Sequence, residues 1–415
     1  MKPYPAYKPT GLAWLPEVPR EWNCRKFKYL FSERSEKGFP NEPLLAATQN
    51  HGVILKTEYE NRTVTAEKGL ETLKLVKVGD FVISLRSFEG GIELSYRQGI
   101  ISPAYTIIFS NGELTNGYFK WLGKSAVFIQ LLKTCVTGIR EGQNIDYGRL
   151  RVSGVPIPPL AEQEAIVAYL DEKTAKIDRL IELKEREIKL LNEKKQAVIS
   201  KVVTRGLDPN AELVDSGVDW IGKVPRGWKI SRVKNELTNH DYLREPISAE
   251  NRVNKFALYD YYGASGAIDK IDDYNVDDTV LLIAEDGANL RLRNLPLIYK
   301  ASGKFWVNNH AHILKVIEPN VYSYMAYALE MADYSLFISG ALQPKLTQAR
   351  LMAMPIAVPP PEEQQKIVAY LDAEGAKTDK AIAAVTRQIG LLKEYRTRLI
   401  SDAVTGRIDL RKAVA

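Results

Sequence analysis

The chain contains an internal repeat. TGLAWLPEVPREW at residues 10–22 and SGVDWIGKVPRGW at residues 216–228 share Gly, Trp, Val-Pro-Arg and Trp in the same order, 206 positions apart. VPIPPLAEQEAIVAYLDEKTAKID at 155–178 matches IAVPPPEEQQKIVAYLDAEGAKTD at 356–379, 201 positions apart. Two such pairs in the same order predict a duplicated architecture, in which each half holds a variable segment followed by a segment of constant length.

The segments between these matching motifs differ from each other. Residues 23–150 and 229–351 show little mutual similarity, and the second segment is five residues shorter. Matching motifs that flank two different intervening segments are what a protein needs if it presents two different binding surfaces in equivalent positions. The matching motifs are called the frame below. The repeat therefore predicts two dissimilar domains, each set in the same framework.

Each constant segment is predicted to form one long helix. Two prolines precede the first, acidic residues lie in its first turn, and no Gly or Pro interrupts Glu162 to about Thr204. Apolar residues at alternating spacings of three and four are typical of a coiled-coil seam. The seam residues are Val167, Leu170, Ile177, Ile181, Ile188, Leu191 and Val198 in the first copy, and Val368, Leu371, Ile382, Val385, Ile389, Leu392 and Leu399 in the second. Thr174, Lys184, Lys195 and Val202 complete the first seam, and Gly375, Thr378, Arg396 and Ala403 complete the second.

A seam this narrow needs a partner, and the nearest candidate is the other copy. We therefore expect an α+β protein, with two globular mixed α/β domains separated by a long antiparallel two-helix coiled coil and related by an approximate two-fold axis. The expected boundaries are a first domain at 1–157, a first helix at 158–206, a second domain at 207–357, and a second helix with the C-terminal tail at 358–415. The second helix ends where a continuation would resemble the N-terminal KPTGLAWLP, so we also expect adjacent termini.

Composition narrows the class of partner only moderately. The net charge is +6 and the pI is about 8.9, which is compatible with a polyanion but far below a histone-like excess. No apolar run reaches the length of a membrane span, and the N-terminus lacks the apolar stretch of a secretory signal. The two cysteines, Cys24 and Cys135, form no CxxC pattern, which favours a reducing cytoplasm over a disulfide framework.

Both variable segments combine β-type runs with helical stretches and Gly-rich turns. YFKWLGKSAVFIQLLKT in the first and NVYSYMAYALEMADYSLFIS in the second are the helix-like stretches. Polar and aromatic residues on the expected loops are candidates for contacts with bases and phosphates. In the first segment these are Gln49, Asn50, His51, Arg86, Ser87, Arg97, Gln98, Arg140, Gln143 and Asn144. In the second they are Tyr261, Tyr262, Ser265, Asn289, Arg291, Arg293, Asn308, Asn309, Gln343 and Lys345.

Several motifs together carry a family resemblance. They are the paired Trp and Val-Pro-Arg frames, GDFVISLRS with GIISPAY (79–105), DYYGASGAIDK (260–270) and GKFWVNNHAHIL (303–314). GQNIDYGRL and QPKLTQARL add to them, each leading into a Pro-rich segment and an EQ…IVAYLD helix. The chain resembles the specificity subunits of type I restriction-modification systems, and the resemblance extends over essentially its whole length.

The resemblance implies a non-catalytic, sequence-specific DNA-binding subunit. Its two target-recognition domains would each read one part of a bipartite double-stranded target, and its helices would set the gap and dock two modification and two restriction subunits. It further implies adenine methylation by partners that extrude the base. S-adenosylmethionine, ATP and Mg would then bind to the partners, and no cofactor or metal to this chain.

Two other classes of function fit the sequence less well. A free-standing DNA methyltransferase would need a Gly-rich cofactor loop and an NPPY-like motif, and the paired prolines of VPIPPL and AVPPPE have no preceding Asn. GKS at 123–125 is too poorly spaced for a phosphate-binding loop, and His310 with His312 lacks a third ligand for a catalytic zinc. A coiled-coil scaffold unrelated to DNA is the remaining alternative, and the two dissimilar domains disfavour it.

Overall fold

The structure of the chain, a computed structural model, describes residues 2–48, 52–58, 69–138, 144–248, 250 and 256–411. These residues form two compact units. The first comprises Met1–Glu185 together with Thr386–Ala415, and the second comprises Arg186–Val385. Each unit therefore contains one variable domain and a part of both long helices.

The first unit is built from short strands and short helices. Its strands are Tyr7–Leu12, Leu15–Pro19, Asn23–Lys26, Phe31–Arg34, Leu45–Thr48, Gly52–Leu55, Lys74–Val76, Phe81–Ile83, Glu93–Leu94, Gly99–Ile101, Thr106–Ser110, Val136–Thr137, Asn144–Ile145 and Gly154–Ile157. Its short helices are Phe27–Leu30, Ser87–Gly90, Asn116–Lys124, Ala126–Thr134 and Tyr147–Leu150, with 3-10 turns at Lys56–Glu58 and Leu70–Thr72. Four strands form an antiparallel sheet in the order Phe31–Arg34, Thr106–Ser110, Phe81–Ile83 and Glu93–Leu94.

The helix-like stretch 118–134 is two helices rather than one. Ser125 separates them with an extended backbone, and its hydroxyl accepts a hydrogen bond from the backbone N–H of Phe128. A serine that caps the following helix competes with continuation of the preceding one, which explains the break. Helical periodicity on both sides concealed it in the sequence.

The second unit follows the same plan with a larger sheet. Its strands are Leu213–Asp215, Lys223–Pro225, Lys229–Arg232, Leu237–Asn239, Tyr259–Gly263, Gly266–Ile271, Val276–Ala284, Ile298–Val307, Ala311–Val316, Ile338–Ser339, Lys345–Leu346 and Pro355–Val358. Its short helices are Val233–Glu236, Asn289–Leu292, Tyr322–Met331 and Gln348–Ala353, with a 3-10 turn at Asp241–Leu243. The six-stranded sheet has the order Leu237–Asn239, Ala311–Val316, Val276–Ala284, Ile298–Val307, Tyr259–Gly263 and Gly266–Ile271.

The repeated motifs occupy equivalent places in the two units. In the first, the strand Asn23–Lys26 after the Trp motif pairs antiparallel with Gly154–Ile157, the strand before the long helix. In the second, Lys229–Arg232 pairs in the same way with Pro355–Val358. In both units, the strand that follows the Trp motif is thus paired with the strand that precedes the long helix.

The two long helices are Leu160–Arg205, of 46 residues, and Pro361–Val404, of 44 residues. Within each unit their segments run antiparallel. Arg396 forms an ion pair with Asp178 in the first unit, and Lys195 forms one with Asp379 in the second. These pairs occupy equivalent positions of the repeat. Exposed ion pairs contribute little stability, but opposite charges facing each other favour this register over a shifted one.

Burial along both helices follows the predicted seam. All eleven seam positions in each helix are buried or half-buried. In the first unit, Leu170 and Ile177 lie in one core with Leu399 and Ala403. In the second, Val202 lies in one core with Leu371. Each helix pair is thus part of the hydrophobic core of the domain beside it.

A glutamate and a glutamine at the start of each long helix hold the domain frame. Glu162 accepts a hydrogen bond of 2.8 Å from the indole N–H of the fully buried Trp22, and Glu363 accepts one of 3.0 Å from Trp228. The neighbouring Gln163 and Gln364 are also buried. These bonds join the Trp motif to the helix start in both copies.

The C-terminal tail completes the first unit. The backbone N–H of Asp409 donates to the carbonyl of Lys2 over 2.9 Å, and the Tyr7 hydroxyl donates to the carbonyl of Gly406 over 2.9 Å. The expectation of adjacent termini is therefore confirmed. The described part of the chain contains no helix that is both long enough and apolar enough to cross a bilayer.

Candidate nucleic-acid interface

Half of the candidate contacts of the first domain fall outside the described residues. These are Gln49, Asn50, His51, Arg140 and Gln143. The described candidates Arg86, Arg97, Gln98 and Asn144 are exposed. Arg97 and Gln98 share one loop, where they bond to Glu58 and Glu42.

Ser87 differs from the other described candidates of the first domain because it is buried. Its hydroxyl oxygen accepts the backbone N–H of Ser84 over 2.9 Å and so closes the turn before the helix Ser87–Gly90. Arg86, directly before this helix, is exposed and pairs with Glu89. The turn therefore uses Ser87 to shape the backbone and leaves Arg86 available to a ligand.

In the second unit, backbone hydrogen bonds bring four segments of the chain together at one edge of the sheet. The N–H of Glu285 donates to the carbonyl of His310, and the N–H of Leu346 donates to the carbonyl of Glu285. The N–H of Asn308 donates to the carbonyl of Tyr262. The end of the strand Val276–Ala284, the turn at 308–310, the strand Tyr259–Gly263 and the hairpin at 338–346 therefore lie side by side.

Exposed candidates gather at this edge. Ser265, Arg291, Asn309, Gln343 and Lys345 are all exposed. The Arg291 guanidinium donates to the carbonyl of Gly340 over 3.0 Å, and the Lys345 ammonium lies 3.0 Å from Glu285. Cations and amides on one edge form the kind of surface that can contact phosphates and base edges together.

Four other candidates of the second domain have structural contacts. Tyr261 is buried, and its hydroxyl bonds to the backbone of Ile247. Asn308 is buried and accepts the N–H of His310. Asn289 bonds to the backbone at Leu295 and Pro296, and Arg293 donates to the carbonyls of Glu330 and Ala332 at the end of the helix Tyr322–Met331. Half-buried Tyr262 shares the edge through its bond to Asn308.

A buried charge network supports the edge from below. His312 is 1% exposed, and its Nδ1 lies 2.6 Å from Asp241 while its Nε2 lies 2.8 Å from the carbonyl of Leu346. Glu285 pairs with Arg244 and Lys345. The network therefore ties the hairpin strand Lys345–Leu346 to the sheet.

The same network contains a possible set of metal ligands, namely Asp241, Glu285 and His312. Both ring nitrogens of His312 already have hydrogen-bond partners, so neither lone pair is free for a metal. The two carboxylates are neutralised by Arg244 and Lys345. The donor set therefore fits an ion-pair network better than a cation site.

We expect this network to weaken in acid. Burial raises the pKa of Asp241, but hydrogen bonds from His312 and from the backbone of Ile313 outweigh it and hold the pKa below its ordinary value. For Glu285, burial is likewise outweighed by Arg244 and Lys345, so its pKa is also lowered. Carboxyls with a depressed folded pKa stabilise the fold above their unfolded pKa, and this contribution is lost as the pH falls through the folded value.

Hydrogen-exchange protection of the Ile313 and Leu346 amides, measured at pH 7 and below pH 4, checks this expectation. Protection should fall in acid in the native chain, whereas Asp241→Asn should be less protected already at pH 7. Asp333→Asn is the matched control, since Asp333 is exposed and, within the described part of the chain, its carboxylate accepts only the backbone N–H of the nearby Ser335. Equal protection in the native chain and Asp241→Asn at pH 7 would show that the network does not hold the hairpin.

Sequence reasoning missed the most exposed apolar residue of this edge. Leu342, in the hairpin loop, is 98% exposed. A shallow cavity of about 490 Å³ opens nearby, and Arg291 and Arg293 line it together with Asp333 and Ser335. Leucine is seldom considered as a DNA contact, and its full exposure could not be read from the sequence.

Comparison with known proteins agrees with this organisation. Residues 225–389 match the family model described as the type I restriction modification DNA specificity domain. A putative type I restriction enzyme specificity subunit from Haemophilus influenzae is 34% identical over 154 residues, which cover 37% of this chain and 38% of that protein. The MjaVIII specificity subunit from Methanocaldococcus jannaschii is 22% identical over 284 residues, which cover 62% of each chain. The chain thus spans between about two fifths and three fifths of the lengths of these two relatives.

Two solved structures share the fold over nearly the whole chain. One, from work on complex assembly and conformational transition of the type I restriction-modification system, has a TM-score of 0.70 at 16% identity and covers 94% of this chain and 99% of that one. The HsdS subunit from Thermoanaerobacter tengcongensis has a TM-score of 0.51 at 18% identity and covers 94% and 98%. The predicted fold class is confirmed. Residues 225–389 match the DNA specificity domain of type I restriction-modification systems, and the relatives and solved structures to which the chain is similar are specificity subunits or come from such systems.

Proposed function

We propose that this chain reads a bipartite double-stranded DNA target with its two variable domains and directs partner subunits to it. The observation that carries this proposal is that the two units share the same pair of flanking strands but enclose different sheets. Asn23–Lys26 pairs with Gly154–Ile157 as Lys229–Arg232 pairs with Pro355–Val358, yet the sheets inside these frames have four and six strands. Equivalent frames around different surfaces suit the reading of two different half-targets.

The edge of the second sheet is the proposed reading surface of that unit. Arg291, Gln343 and Asn309 offer the side chains that bond to guanine and adenine edges, and Lys345 can contact a phosphate. In the first unit, Arg86, Arg97, Gln98 and Asn144 are the exposed described candidates. Phosphate contacts would set the register, and base contacts would supply specificity.

Catalysis is proposed to belong to the partners. Two modification subunits would occupy equivalent positions on the duplicated frame and methylate adenine, and two restriction subunits would be recruited through them. S-adenosylmethionine, ATP and Mg would bind to those partners. Such a subunit acts on cellular DNA, which places it in the cytoplasm.

The test is to co-express the chain with a modification subunit from a neighbouring gene and to map methylated adenines by single-molecule sequencing. A bipartite motif that appears only when both chains are present is the expected result. An assembled complex without a motif would contradict the reading function, and no complex would contradict the proposed partners.

Exchange of residues 23–150 for the corresponding domain of another family member tests the two-domain model. We expect only one half of the methylated motif to change, because the second reading surface is left intact. Exchange of residues 229–351 is the matched control and should change the other half. If either exchange altered both halves together, the two domains would not read independently.

A further inference from the structure

The hairpin at 338–346 presents an apolar tip in a fixed position. Its strands, Ile338–Ser339 and Lys345–Leu346, pair antiparallel, and Leu342 between them is 98% exposed. Gly340 has a φ of +81°, and a Cβ there would lie 2.2 Å from the carbonyl oxygen of Gln343. Only glycine fits this turn, so the loop is folded tightly on itself.

Contacts from three directions support the loop. The Arg291 guanidinium donates to the carbonyl of Gly340, and the N–H of Gly287 donates to the carbonyl of Pro344 over 3.1 Å. The backbone N–H of Leu346 donates to the carbonyl of Glu285, and the carbonyl of Leu346 bonds to Nε2 of His312. A leucine on a supported loop loses little conformational freedom on contact with a ligand, which favours binding.

The charge around the tip favours a polyanion. The loop residues 340–344 carry no acidic side chain, and Lys345 follows them. The nearby carboxylates are paired, Glu285 with Arg244 and Lys345, and Asp286 with His310. The apolar tip therefore lies among cations and amides without a free negative charge on the loop.

The first unit has a strand pair in the equivalent place. Val136–Thr137 pairs antiparallel with Asn144–Ile145, and Gly138, with a φ of +96°, occupies the place of Gly340. Two positions after the glycine stands Arg140 in the first copy and Leu342 in the second. In the sequence, the two equivalent frames thus carry different residues two positions after the glycine, which is what two reading elements for different half-targets require.

From these observations we propose that Leu342 enters the major groove of the second half-target and packs against the methyl group of a thymine. This inference rests on the proposed DNA-reading function and assigns one of its contacts. The thymine methyl is the apolar group that a base pair presents in the major groove, so an apolar tip there discriminates thymine from other bases.

The test uses the native complex with its modification subunit and duplexes that carry the mapped motif. Each thymine of the second half-target is replaced in turn by deoxyuridine, which lacks only the methyl group. Burial of one methyl corresponds to about a fourfold change in affinity. We expect one position to show this loss with the native chain, and Leu342→Ala to weaken binding without a further loss at that position.

Leu336→Ala is the control, because Leu336 is also highly exposed, at 82%, but lies before the hairpin. It should keep the native sensitivity to deoxyuridine. Independent, additive losses from Leu342→Ala and from deoxyuridine would overturn the assignment, as would a half-target without thymine. Loss of the modification subunit from the Leu342→Ala complex would make the tip a protein contact instead. A chain that yields no methylated motif would fail the proposed function before this test is reached.

Discussion

Replacement of Gln163 by leucine is expected to lower the free energy of unfolding of the first unit by about 3 kcal/mol or more. The Gln163 side chain is 1% exposed. Its oxygen accepts the backbone N–H of Thr115, and its amide nitrogen donates to the carbonyls of Glu113 and Pro158. Leucine has a similar size but would leave three backbone groups without this partner, each at a cost of about 1–3 kcal/mol where burial is complete.

The repeat supplies an internal check on this expectation. Gln364 is 0% exposed and forms the equivalent bonds in the second unit, accepting from Val321 and donating to Pro359 and Asn320. Gln364→Leu should therefore destabilise the second unit by a similar amount. Denaturant unfolding gives the size of each effect, and hydrogen exchange resolved by residue shows which unit has lost protection.

Two exposed glutamines on helices provide controls of the same chemical change. Gln130 in the first unit and Gln196 in the second are exposed. Their replacement by leucine should change the stability by less than about 0.5 kcal/mol. A loss below 1 kcal/mol for Gln163→Leu would mean that water or rearranged backbone replaces the lost bonds, and that the glutamine does not hold the domain to the helix.

The long helices could be predicted because their signals are local. Periodic apolar residues from Val167 to Val202, without Gly or Pro, predicted a helix at 162–204, and the structure has one at Leu160–Arg205. The role of Gln163 was not evident from the same residues. A polar side chain in a first turn is normally solvated, and only the loop at 113–115 packed over it makes it buried. The one sequence feature that indicated a structural role for Gln163 was the presence of a glutamine, Gln364, at the equivalent position of the second copy.

The candidate interface shows the same limit. Tyr261 and Tyr262 are neighbours on one strand, so they point to opposite faces, and the sequence does not say which face is covered. Tyr261 packs in a cluster with Ile271 and Trp306, so it is the buried one. Arg291, Asn309 and Lys345 are far apart in sequence, and only the pairing of Glu285 with His310 and Leu346 brings their loops together.

Removal of residues 406–415 is expected to destabilise the first unit by about 3–5 kcal/mol. Leu410 is 0% exposed and lies in the core of that unit. The same truncation removes the carbonyl of Gly406 from the Tyr7 hydroxyl and the Asp409 N–H from the carbonyl of Lys2. A chain that ends at Arg411 keeps all of these contacts and is the matched control.

The loss of stability should be confined to the first unit. In the second unit, the equivalent contacts are made by residues at and after Gly206, which the truncation does not remove. Gly206 packs against Trp228 and Pro225 as Gly406 packs against Trp22 and Pro19. Hydrogen exchange should therefore show lost protection around Trp22 and unchanged protection around Trp228. Equal loss in both units would mean that the tail stabilises the whole chain rather than the unit it contacts.

A permuted chain separates the contacts of the tail from its position at a terminus. After Gly206 the chain continues into the strand Leu213–Asp215, whereas after Gly406 the equivalent strand, Tyr7–Leu12, comes from the other terminus. A short linker from Arg411 to Lys2, with the chain opened at the exposed turn 208–210, preserves every contact described for the tail. We expect the free energy of unfolding of this permutant to lie within about 1 kcal/mol of that of the native chain, because its packing is unchanged. If the permutant lost as much protection around Trp22 as the truncated chain does, the contacts of the tail would not be sufficient to stabilise the first unit.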